Sequence, residues 1–89
     1  LVANGKKGLL LEAKALSHAY RLPKDKVRQL ATMHKFEAAG VRGVIVVHHY
    51  LEGVWRCFLA KDLELGLPSW DLRPFPTFPS AELALSAYL

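Results

Sequence analysis

Two stretches decide the fold: Leu9-Leu10-Leu11-Glu12-Ala13-Lys14-Ala15-Leu16 and Gly43-Val44-Ile45-Val46-Val47-His48-His49-Tyr50. Both are short and largely apolar, and the second carries four consecutive β-branched residues, Val44 to Val47, as a central strand does. Between them Pro23 opens a helix, expected to run to about Ala39, and Gly40 stops it. Along that helix Val27, Leu30, Ala31, His34 and Ala38 recur at helical spacing as a buried stripe. Lys24, Arg28, Thr32 and Lys35 form a basic ridge on another side. Strand, helix, strand implies a right-handed crossover that sets 9–16 and 43–50 parallel in one sheet.

Working outward, Leu1-Val2-Ala3 reads as the end of a strand and Asn4-Gly5-Lys6-Lys7-Gly8 as a turn, which makes a hairpin with 9–16. After 43–50, Leu51-Glu52-Gly53 turns the chain, Val54–Ala60 returns antiparallel, and Lys61–Pro68 is a connector. Ser69–Pro79 holds Trp70, Pro74, Phe75, Pro76, Phe78 and Pro79, too aromatic for a free linker and too rich in proline for regular structure. It reads as an extended arm on an apolar surface. Ser80 then caps a last helix with Glu82 in its first turn and Leu83, Leu85 and Tyr88 inside. The class is α/β: a mixed β-sheet with a crossover helix, residues 1–68 forming the core, and a C-terminal arm and helix, 69–89, packing on that core or on a dimer partner.

The 89 residues bound the chain to one domain, and 52% of them are hydrophobic, which excludes disorder. No stretch approaches the ~18 apolar residues of a membrane span, and Glu12 interrupts the only run resembling a signal segment. No membrane partner is expected. The first residue is Leu1 rather than Met, so the expectation is a fragment, a processed product or the ordered part of a longer chain. Cys57 is the single cysteine, which excludes an internal disulfide and fits a reducing cytoplasm. The net charge of +4 is unevenly placed. Residues 1–42 hold nine basic and three acidic residues, whereas residues 43–89 hold three basic and five acidic ones. A one-sided basic half suits a polyanion, and equally a solvated surface.

Alternation along a strand puts Glu12 and Lys14 on one face and Leu11, Ala13 and Ala15 on the other. A carboxylate and an ammonium on a leucine-rich strand leave water at a cost unless they are paired or bind a metal. One reading is an ordinary ion pair, worth ~0–1 kcal/mol at a surface. The other is half of a nuclease site. There a carboxylate, with the Ala13 carbonyl, supplies hard oxygen ligands for Mg²⁺, and Mn²⁺ fits the same oxygens. The lysine orients or deprotonates the attacking water and offsets charge growing on the phosphate.

Gly8-Leu9-Leu10-Leu11-Glu12-Ala13-Lys14 after the glycine-containing turn resembles the second half of the PD-(D/E)xK nuclease motif. Tyr20-Arg21-Leu22-Pro23-Lys24-Asp25, then a helix, Gly40, Gly43, a Val/Ile strand and Trp55 are similar to the archaeal-type Holliday junction resolvases, which also occur in viruses. The resemblance covers roughly residues 1–60. It implies a restriction-endonuclease-like core and a homodimeric, Mg²⁺-dependent endonuclease that nicks four-way DNA junctions, acting in the cytoplasm or in a viral host's cytoplasm. It implies Glu12 as metal ligand and Lys14 as catalytic lysine. The family's aspartate would fall immediately before Leu1 and a further acidic residue in a helix before that, so the chain as given carries one metal carboxylate. Where the family often has glutamine this chain has Lys26, which cannot accept a hydrogen bond from water. Another nuclease of the superfamily, of restriction or repair type, and a non-catalytic DNA-binding domain derived from one are the alternatives.

Ser17, His18, Tyr20 and Arg21, near the expected site, and Lys24, Lys26, Arg28 and Lys35 are candidate DNA contacts, the lysines and arginines touching phosphates. His48 and His49 point to opposite faces and cannot easily share a metal, His34 reads as a packed core histidine, and Cys57 as a small buried hydrophobe. Trp55, Trp70, Phe75, Phe78 and Tyr88 exceed what a small core needs, so some are expected to line a homodimer interface with the terminal helix.

Overall fold

The β-branched run after Gly43 forms the centre of a five-stranded mixed sheet, in a computed structural model that describes residues 2–4 (backbone only), 9–17 and 20–88. Its strands are β1 (Val2–Asn4), β2 (Leu9–Leu16), β4 (Arg42–His49), β5 (Val54–Leu59) and β7 (Thr77–Phe78), in the spatial order β1-β2-β4-β5-β7. β1 and β2 are antiparallel, β2 and β4 parallel, and β4, β5 and β7 antiparallel in turn. The hairpin, the parallel crossover and the returning strand therefore follow the reading of the sequence. The expected turn through residues 5–8 lies outside the described residues, as does His18. A two-stranded ribbon, β3 (Arg21–Pro23) against β6 (Ser69–Asp71), stands beside the sheet. The chain is thus a mixed α/β domain with two helices, α1 (Leu30–Ala38) and α2 (Ala81–Leu85).

The crossover helix is shorter than expected, and the reason lies far away in sequence. Pro23 does not open it; the residue sits at ψ 148°, in extended backbone. Leu22 pairs with Trp70 across the ribbon, and the Lys24 amide donates to the Pro68 carbonyl at 3.0 Å. Lys24–Lys26 make one 3-10 turn, and α1 begins only at Leu30. The inward stripe shifts accordingly: Leu30 and Met33 are buried, His34 and Glu37 half-buried, and Ala31 and Ala38 exposed. That is the i, i+3, i+4, i+7 pattern of a helix counted from Leu30. The basic ridge dissolves with it, because Lys24 and Arg28 precede α1 and only Thr32 and Lys35 lie on it.

Two apolar layers flank the sheet. On one side α1 and the ribbon enclose Leu16, Leu22, Leu30, Met33, Ile45, Val47 and Phe58, with Trp70 and Leu72 from the C-terminal segment. On the other, Ala84 of α2 covers Val44, Val46 and Cys57. The segment expected as an irregular arm does lie on apolar surface, but it also forms β6 and β7, two short strands whose prolines flank them. Ser80 caps α2 as expected, its Oγ accepting from the Leu83 amide at 3.2 Å. Leu83 itself points outward, 52% exposed, whereas Leu85 and Tyr88 pack on the second layer. The aromatics expected at an interface are used within the chain. Trp70 is in the core, Phe75 stacks on Phe58 at 4.6 Å, Phe78 and Tyr88 join the second layer, and Trp55 stacks on His48 at 4.0 Å.

At Gly43 the sheet lies close against α1. A Cβ there would lie 3.2 Å from Ala60 Cβ and 3.3 Å from Met33 Cε. Gly43→Val is expected to lower stability by about 1–3 kcal/mol through overpacking, as a fall in urea midpoint at unchanged slope. A midpoint equal to the parent's would mean that α1 lies further off.

Candidate functional site

Parallel register places Glu12 beside Ile45 and Lys14 beside Val47, so both face the α1 side of the sheet. The Lys14 Nζ lies 2.9 Å from Glu12 Oε1. The pair is not the exposed one that the bare tripeptide allows: the Glu12 side chain is 9% accessible and that of Lys14 28%. Glu12 Oε2 is buried and accepts no hydrogen bond among the described residues. An ionised carboxylate oxygen with no donor in a low-dielectric setting is costly, and native structures seldom leave one without a reason.

The remaining candidates fall into separate groups. Ser17 is exposed at the end of β2. Tyr20 and Arg21 stand on the ribbon, where the Arg73 guanidinium lies 4.2 Å over the Tyr20 ring and the Arg21 Nη1 donates to Ser69 Oγ at 3.2 Å. Arg73 also forks onto Asp71, with nitrogen–oxygen distances of 2.7 to 3.0 Å. These hydrogen bonds hold the Asp71 carboxyl down at about 2. Lys24, Lys26, Arg28 and Lys35 are all exposed. Lys24 and Arg28 border a cleft beside Trp70, whereas Lys35 does not line it.

Reasoning from sequence passed over Arg56 and His49. Register puts Arg56 opposite Val47, and hence on the same face and lateral row as Lys14. Its Nε donates to the Phe75 carbonyl at 3.1 Å and its Nη1 to His49 Nε2 at 3.0 Å, which makes His49 an acceptor at that nitrogen. His49 is 1% exposed. The signal was present: in Val54-Trp55-Arg56-Cys57-Phe58 the arginine alternates onto the Phe58 side, which is the core side. His48 faces the opposite way, as expected, and His34 donates from Nε2 to the Leu63 carbonyl at 3.1 Å, a satisfied packed histidine.

Among the described residues no group of three or more His, Cys, Asp or Glu could hold a metal ion. Two buried carboxylate oxygens have no donor among the described residues, Glu12 Oε2 and Glu37 Oε1, and the one beside Lys14 is Glu12 Oε2. A cation there would keep several waters and take a phosphate oxygen, as Mg²⁺ commonly does with one or two carboxylates. An open cleft of about 440 Å³ bordered by Glu37, Arg42, Lys61 and Tyr88 includes neither Glu12 nor Lys14. No helix among the described residues is long and apolar enough to cross a membrane. No protein-family model, curated protein or solved structure matches the chain.

Cys57 lies on the α2 side and is inert. Burial pushes its thiol up to about 11, from an ordinary value of 9.0. The folded value exceeds the unfolded one, so the neutral thiol's contribution to stability is complete below pH 9 and is lost as pH rises toward 11. Cys57→Ala should remove that alkaline component from the stability–pH curve. At pH 8 a thiol reagent should label the native protein far more slowly than the denatured one; equal rates would place the thiol at the surface.

Proposed function

We propose that this chain is a DNA-cleaving domain with a restriction-endonuclease-like core, and that Glu12 and Lys14 act on the phosphodiester of a branched, four-way DNA substrate. The observation that carries the reading is Glu12 Oε2, buried and without a hydrogen-bond donor beside a lysine that holds the other oxygen. Support comes from the order hairpin, crossover helix, parallel strand and returning strand around β2, and from the E-x-K spacing on that strand. The excess of basic residues in 1–42 adds to it.

In this reading Glu12 Oε2 would hold Mg²⁺ or Mn²⁺, with the Ala13 carbonyl as second ligand, and the cation would polarise the phosphate and lower the pKa of bound water. Lys14 sits within reach of the same carboxylate. It orients the attacking water and donates to the phosphate oxygen on which charge grows. Arg21, Lys26 and Lys35 bind backbone phosphates, and a second copy of the chain would provide the second site that a symmetric junction needs.

The test uses labelled four-way junctions and linear duplexes with Mg²⁺, Mn²⁺ or Ca²⁺. Nicking of the junction that survives excess duplex and disappears in Glu12→Gln supports the proposal. Junction cleavage equal in Glu12→Gln and the parent would overturn it. The second reading, a DNA-binding domain without catalysis, is favoured by the lack, among the described residues, of a group of three or more His, Cys, Asp or Glu able to hold a metal; tight, salt-sensitive junction binding with no cleavage under any metal would establish it.

A further inference from the structure

We propose that the cleft between the 3-10 turn at Lys24–Lys26, the start of α1 and the 64–68 loop is a docking site for an acidic peptide bearing a large apolar side chain. The cleft measures about 420 Å³ and contains neither Glu12 nor Lys14. Its floor is apolar: Val27 and Leu30 are 3% exposed and Trp70 7%. The Trp70 indole is fixed by donation from Nε1 to the Glu64 carbonyl at 2.9 Å.

Its lip is two leucines that a folded domain would ordinarily cover. Leu65 is 49% exposed and Leu67 40%. Gly66 lies between them at φ +92°, a left-handed conformation that turns the loop there and that other residues adopt only with strain. The opposite rim carries Lys24 and Arg28, with Asp25 between them. Among the described residues the ion pairs are Glu12–Lys14 and Asp71–Arg73, and neither Lys24 nor Arg28 belongs to one. The cleft therefore combines apolar side chains with cations still open to an anionic partner.

That combination selects the occupant. A DNA backbone would use the two cations and gain nothing from the leucines. A peptide whose leucine or phenylalanine enters between Leu65, Leu67 and Trp70 uses both features, its carboxylates meeting Lys24 and Arg28. Apolar anchors set within a charged rim are how short peptides gain both affinity and selectivity.

Fluorescence anisotropy with labelled peptides tests this without metal or DNA, so the outcome does not depend on whether Glu12 and Lys14 cleave. The probe is Asp-Asp-Asp-Leu-Phe; the controls are Asp-Asp-Asp-Ala-Ala and Asn-Asn-Asn-Leu-Phe. The probe should bind at least about tenfold more tightly than either control, with Leu67→Ser and Arg28→Ala each costing about tenfold. Both residues are exposed, and circular dichroism should show both variants folded. Equal binding of probe and controls would overturn the proposal. So would full probe affinity in Leu65→Ser and Leu67→Ser with Lys24→Ala and Arg28→Ala weakening peptide and duplex DNA alike, since the cations would then be a general polyanion surface.

Discussion

Phe58→Ala is expected to cost about 3–5 kcal/mol of folding stability, as large aromatic truncations in cores do. Phe58 is fully buried near the end of β5, opposite Ile45 on β4, and lies in the layer that α1 closes. Its ring stacks on Phe75 at 4.6 Å and 20°. The truncation thus opens a cavity and also removes an aromatic pair worth about 0.5–1.5 kcal/mol beyond area. Small domains have only about 5–15 kcal/mol in total, so the variant should unfold at a much lower urea concentration. Leu83→Ala is the matched control: Leu83 is 52% exposed, and its loss should change stability by less than about 0.5 kcal/mol. A loss below about 1 kcal/mol for Phe58→Ala would mean that the sheet and α1 do not meet where the structure places them.

Phe58 also illustrates what was legible in the sequence. The strands around it were, because Val44 to Val47 and the alternation in β5 are local signals strong enough to stand alone. The start of α1 was not. Pro23 suits the first turn of a helix and the end of a strand equally well, and its own neighbours do not decide between them. The ribbon decides, through Trp70 pairing with Leu22 from 48 positions away. Leu30 and His34 kept their inward places, but Met33 and Glu37 replaced Ala31 and Ala38 along α1. The candidate site divides in the same way. Glu12 and Lys14 share a face by strand period alone, so their pairing was readable. The burial of Glu12 and the row containing Arg56 depend on what packs above β2 and β4. Neither follows from the spacing of the residues themselves.

That burial sets up the second large effect, in which Lys14→Ala and Glu12→Ala behave differently. Removing Lys14 leaves Glu12 with Oε2 lacking a donor among the described residues and Oε1 deprived of its ion pair with Lys14, on a side chain 9% accessible. Breaking a buried pair from that side is the costly direction, of order 3–5 kcal/mol when a charge is stranded in full. Lys14 is 28% accessible and on a long stem, so Glu12→Ala frees its ammonium to move toward water at much smaller cost. Lys14→Ala should therefore be the less stable variant by more than about 1 kcal/mol. Equal losses would mean that Glu12 is hydrated. For catalysis the order differs: both substitutions should remove junction nicking, Lys14→Ala by about 10²–10⁴-fold if the lysine serves proton transfer. Junction affinity in Ca²⁺, measured well below each variant's unfolding transition, should remain close to the parent's for Lys14→Ala. Parent-level nicking by folded Lys14→Ala would remove the lysine from the chemistry and leave Glu12–Lys14 as a half-buried structural pair.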